Sequence, residues 1–189
     1  MKVPIRNTAE AYGALAQLLH WAVVAGIALQ FVWAWRIDRT DSIREEFALV
    51  NQHKSIGITV LMLAVLRLAW RAFNRPPPLP AGLPRWEHLA ARATHWLLYV
   101  LIFAMPLTGW AFTSAAGYGP EWFGWLDLPD LVAPNERLEE IFGAVHEALA
   151  ATLVTVVALH VTAALRHHFV LRDNVLKRML PTWTTSTRQ

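Results

Sequence analysis

His146 and His160 stand fourteen residues apart on one uninterrupted apolar stretch. Fourteen residues of α-helix rise about 21 Å through almost four turns, which leaves the two imidazoles within roughly 40° of one face. Two further apolar stretches each offer one histidine near opposite ends, His20 and His53. Imidazoles at two depths, each with a partner on another helix, suit two stacked iron porphyrins. An iron with two imidazole ligands has no open axial position, which favours electron transfer over oxygen binding. A single tetrahedral zinc is poorly matched, because the two levels lie too far apart.

The elements that must hold these rings are apolar blocks. Hydrophobic residues make up 55% of the 189 and charged ones 16%, with the apolar residues gathered into runs too long for a soluble core. The blocks predict an all-α fold, an integral membrane four-helix bundle forming a single domain over 1–189. Its helices are expected at about 14–36, 50–71, 93–116 and 136–170. Lipid-exposed backbone must satisfy its own hydrogen bonds, so helices are the only open-chain solution. The first block is too long for a signal-peptide core and has no small-residue cleavage site before Arg36, so it is expected to be retained. With no cysteine, disulfides, iron–sulfur ligation and thioether-linked haem are excluded.

Basic residues orient the bundle. With four crossings, the N-terminus, the 71–92 loop and the C-terminus share one side. That side collects Lys2, Arg6, Arg67, Arg71, Arg75, Arg85, Arg92, Arg166, Arg172, Lys177, Arg178 and Arg188 against only Glu10, Glu87 and Asp173. The positive-inside rule then makes both termini cytoplasmic. The pI near 9.7 is thus a topology signal, and nucleic acid is not an expected partner. The loops agree: Pro76 to Pro78 ends the second helix, and Trp122 and Trp125 are expected as interfacial anchors in the long outer loop. Glu136, Glu139 and Glu140 favour a helix start after Asn135. Pro106 and Gly109 predict a kink or a groove in the third helix.

Depth sorts the histidines. His20 and His160 lie near the cytoplasmic ends of helices one and four and can face each other across one iron. His53 and His146, near the outer ends of helices two and four, form the second pair. Arg67, fourteen residues after His53, lies on the same face at the inner level, where a carboxylate would need a cation. Gly57, one turn from His53, removes a side chain where a flat macrocycle or another helix can approach.

The His20-Trp21 pair, the His53-Lys54-Ser55-x-Gly57 run, Arg67, His146-Glu147 followed by His160 and His167-His168, and the closing Lys177-Arg178-Met179-Leu180-Pro181 resemble the prokaryotic cytochrome b561 family over nearly the whole chain. The resemblance implies a cytochrome of the bacterial inner membrane with two non-covalent b-type haems. Its axial ligands would stand at the histidines named above. It also implies an oxidoreductase activity found in some members: superoxide is oxidised at the periplasmic face and ubiquinone is reduced near the cytoplasmic face.

Within that frame Lys54, with Arg36, Arg39, Arg44 and Arg137, is a candidate funnel for a small anion. His167, two turns beyond His160, can hydrogen-bond a quinone carbonyl and supply a proton. His168, Arg71, Arg166 and Trp70 are further quinone-site candidates. His95 can compete for ligation or line that site; His88 has no assigned role. Two other function classes stay open: a cytochrome b subunit linking the quinone pool to a periplasmic redox partner, and a haem-free membrane protein with structural histidines.

Overall fold

A computed structural model describes residues 4–80 and 82–181; Lys2 and Arg188, counted above in the charge asymmetry, lie outside them. Four helices carry the fold: α1 (Ala14–Ile37), α2 (Ile43–Phe73), α3 (Arg85–Ala115) and α4 (Glu136–Phe169). All four are long and apolar enough to cross a membrane. Between α3 and α4 a two-stranded antiparallel hairpin pairs β1 (Glu121–Trp122) with β2 (Leu126–Asp127).

Helices α1 and α4 run close to the expected bounds, but α2 and α3 begin seven and eight residues earlier than hydropathy suggests. Polar residues hide those first turns. Arg44, Glu45, Glu46, Asn51 and Gln52 make the start of α2 too hydrophilic to read as a span, yet it is built by capping. Ser42 Oγ accepts the Glu45 amide at 3.4 Å, and two glutamates occupy the positive first turn. Helix α3 starts after Pro84 with Glu87 in its first turn. His53 therefore lies ten residues inside α2, and not at its outer end. For α4 the expected cap holds: Asn135 Oδ1 accepts the Leu138 amide at 3.0 Å.

Close packing runs α1 on α2, α2 on α3 and α3 on α4. Among the described residues α4 has extensive backbone contact with α3 alone, which leaves room along its faces toward α1 and α2. In mid-bundle Leu101, Leu153 and Val156 form the core with Ile27 and Phe31 packed on it. The α1–α2 contact depends on Gly26, where a Cβ would sit 2.6 Å from Val60 Cγ2.

Both ends are closed by loops. At the hairpin end, buried Ser55 takes the Phe123 amide at 3.0 Å and lies 3.0 Å from the Glu121 carbonyl, while the Trp122 indole donates to Thr59 Oγ1 at 3.1 Å. Trp122 is thus a latch onto α2, whereas Trp125, 85% exposed, is free to serve as an interfacial anchor. On the other face Asn7 donates to the Asn74 and Arg75 carbonyls. Trp21 donates to the Met179 carbonyl at 2.9 Å, and Arg178 to that of Pro78 at 2.7 Å. These bonds tie both terminal segments to the α2–α3 loop.

Replacing Gly26 by Leu should force α1 from α2 and destabilise the bundle by about 1–3 kcal/mol, read as a lower thermal midpoint in detergent. The cysteine-free chain also allows a clean topology test. Trp125→Cys should react with a membrane-impermeant maleimide in intact cells, and His88→Cys only after permeabilisation; the reverse pattern would invert the orientation drawn from the charges.

Candidate functional site

At the outer level α2 and α4 bring His53 and His146 together, with ring centres 6.5 Å apart and planes at 75°. Two imidazoles on opposite sides of one metal, with metal–nitrogen bonds near 2.0 Å, have ring centres roughly 6.3 Å apart. The separation matches that figure, and the rings meet edge to face. Thr108 of α3 reaches His146 Nδ1 at 3.2 Å. Gly109 clears the space for that ring, since a Cβ there would lie 3.0 Å from His146 Cε1. His53 Nδ1 is buried with no hydrogen-bond partner.

Gly57 faces α1: a Cβ on it would meet Gln30 Nε2 at 2.9 Å. Its missing side chain admits a glutamine amide at the outer level, and Gln30 Oε1 is itself buried without a partner. Lys54 donates to the Tyr118 carbonyl at 3.3 Å and feels the nearby Glu121 carboxylate. Of the arginines expected to form a funnel, Arg36 pairs with Glu45 at 3.3 Å and Arg39 lies over the Trp35 ring. Among the described residues, Arg36 is the one of these cations shown in an ion pair with a carboxylate.

The inner level is more crowded. His95 of α3 packs on His160 with ring centres 5.4 Å apart, too close for an iron between those two. His20 stands within electrostatic range of His160, His95 and Arg67, and its own ring contact is with Trp21. The described residues contain no group of three or more histidine or carboxylate side chains converging on one metal. Arg67 donates from Nε to the Tyr99 hydroxyl at 3.2 Å, and its Nη1, like Trp70 Nε1, is buried with no partner. Two unanswered buried donors call for an acceptor-rich group, because an unpaired buried donor costs about 1–3 kcal/mol. Both residues line a small pocket with Arg71, Tyr12, Tyr99 and Met179. Burial pushes the Tyr12 phenol up, so it stays protonated.

Of the other quinone-site candidates, only Trp70 and Arg71 line this pocket. Arg166 pairs with Glu87 at 3.4 Å, joining the end of α4 to the start of α3. His167 Nδ1 pairs with Asp173 in the tail that follows α4, and His168 Nδ1 is buried without a partner. The candidates thus divide between a pocket beneath the terminal segments and a dyad beside them. Tyr99, Thr108 and Gln30 were not singled out from sequence. A tyrosine, threonine or glutamine in an apolar run gives no sign of its partner, and only the Pro106–Gly109 interval hinted at the Thr108 region.

A family model for prokaryotic cytochrome b561 matches residues 11–182. The chain belongs to that family. Cytochrome b561 homolog 2 of Escherichia coli K12 is 37% identical over 178 residues, 92% of this chain and 93% of the relative. Probable superoxide oxidase CybB of Yersinia pestis is 37% identical over 130 residues, 68% of this chain and 73% of that one. Membership in the cytochrome b561 family implies b-type haem binding and electron transfer across a membrane, and the histidine levels suit that chemistry.

The dyad gives a pH prediction. Partial burial pushes the Asp173 carboxyl up, but the His167 hydrogen bond, the Val175 amide and the Arg178 charge outweigh it and hold the group below its usual 3.8. A carboxylate depressed in the folded state stabilises above its unfolded pKa, and that contribution is lost as pH falls through the folded value. Attachment of the tail should therefore be constant down to about pH 4 and loosen in more acidic solution, seen as faster amide exchange at 173–179. Asp173→Asn should show the loosened pattern at neutral pH.

Proposed function

We propose that this cytochrome b561 family member holds two b-type haems in the bacterial inner membrane, both termini cytoplasmic, and passes electrons from superoxide at the periplasmic face to ubiquinone near the cytoplasmic face. The observation that carries the reading is the His53–His146 pair, whose spacing suits one iron between two imidazoles. The bound haems supply one-electron carriers stacked across the bilayer. In this reading His53 and His146 hold the outer group, and His20 and His160 the inner one. His95 packs against His160 as its neighbour.

Arg67 and Trp70 direct unpaired donors where an anionic propionate would be neutralised. Lys54 is the cation nearest His53 in the chain and attracts a small anion to that end. His167, held through Nδ1 by Asp173, presents Nε2 to a quinone carbonyl. Arg71, Arg166 and His168 supply further polar groups on that side. The overall balance is two superoxide anions giving two dioxygen molecules, with quinone taking both electrons and two protons. The partial-length likeness to a protein named probable superoxide oxidase supports the donor.

Purified protein should contain two haems per chain, and rapid mixing with superoxide should reduce them and, in turn, added ubiquinone. His146→Ala should lose one haem and retain the other, with superoxide-driven reduction falling to the level of a control haem protein. Two retained haems in that variant would overturn the ligand pairing. Normal haem content with control-level superoxide reactivity would favour a cytochrome b subunit serving a periplasmic redox partner.

A further inference from the structure

The ring of His146 is held by more than its own helix. Thr108 Oγ1 lies 2.8 Å from the Ala104 carbonyl and 3.0 Å from that of Met105. Carbonyls only accept, so the single hydroxyl proton is committed to the α3 backbone. With its proton on the α3 backbone, the hydroxyl offers a lone pair to His146 Nδ1 at 3.2 Å, beside the Met105 carbonyl, which also hydrogen-bonds the His146 side chain. That requires a proton on Nδ1, and in a neutral imidazole it leaves the lone pair on Nε2. Gly109, the next residue, admits the ring: a Cβ there would stand 3.0 Å from Cε1 and 3.3 Å from Nδ1. His53 has no equivalent support, since its Nδ1 is buried with no partner.

We propose that Thr108, with Gly109 beside it, is the positioning residue for His146, fixing its tautomer and ring angle so that Nε2 faces the metal. The inference rests on the reading of His53 and His146 as a haem pair. A ligand imidazole that donates from its second nitrogen is more basic and favours the oxidised metal. Losing the acceptor should therefore raise the midpoint potential of the outer haem and leave the inner one in place.

The haem lost in His146→Ala identifies the outer midpoint in a spectroelectrochemical titration. Thr108→Val should retain two haems per chain with only that midpoint moved upward, and Thr108→Ser should restore it. Gly109→Ala should turn the ring and change the low-spin ferric resonance of the same haem. Unchanged midpoints in Thr108→Val, or equal shifts in both haems, would overturn the proposal. If the Val variant sheds the outer haem, the Ser variant decides: retention at the wild-type potential supports the role, and loss refutes it. Two haems in His146→Ala would instead remove the pairing beneath it, a result visible without any Thr108 variant.

Discussion

A helix in lipid satisfies its backbone internally, so every polar side chain turned inward must find a partner on another helix or in a ligand. This constraint organises the bundle. The polar groups collect at two depths. The outer level holds His53, His146, Thr108 and Gln30; the inner one holds His20, His95, His160, Arg67, Trp70 and Tyr99. Between them lies an apolar core around Leu101, Leu153 and Val156. Several inward atoms at both levels have no protein partner among the described residues.

The two closures follow from the same economy of polar groups. Ser55 and Thr59 lie on α2 just past His53, where they receive the outer hairpin through one amide and one indole. At the opposite end asparagine, tryptophan and arginine side chains join three loop segments by bonds to backbone carbonyls. Each closure covers a histidine level with hydrogen-bonded backbone, and the outer one also ties up Lys54. Local charge near the outer level is therefore set by pairing, since Arg36 and Lys54 both face carboxylates on neighbouring segments.

Legibility of the fold varied with the physical signal. Helices α1 and α4 are bounded by sharp changes, a glycine before one and an asparagine cap before the other, and their limits are readable. The first turns of α2 and α3 extend past the apolar runs and are stabilised by caps and charge, which hydropathy does not register. The hairpin was hidden as well: two-residue strands leave no periodic pattern, and its stability comes from a serine far away in the chain.

For the site, helical geometry alone aligns His146 with His160, because the rise and rotation per residue are constants of the backbone. Charge asymmetry likewise yields an expected orientation without reference to any fold. Contacts between helices are different, since they depend on rotation about each axis and on which small residues let helices approach. That Thr108 meets His146, that Gly57 faces Gln30, and that His95 and not His20 packs on the His160 ring are decided by packing. Side chains that lie tens of residues apart leave no mark of their meeting in the order of the chain.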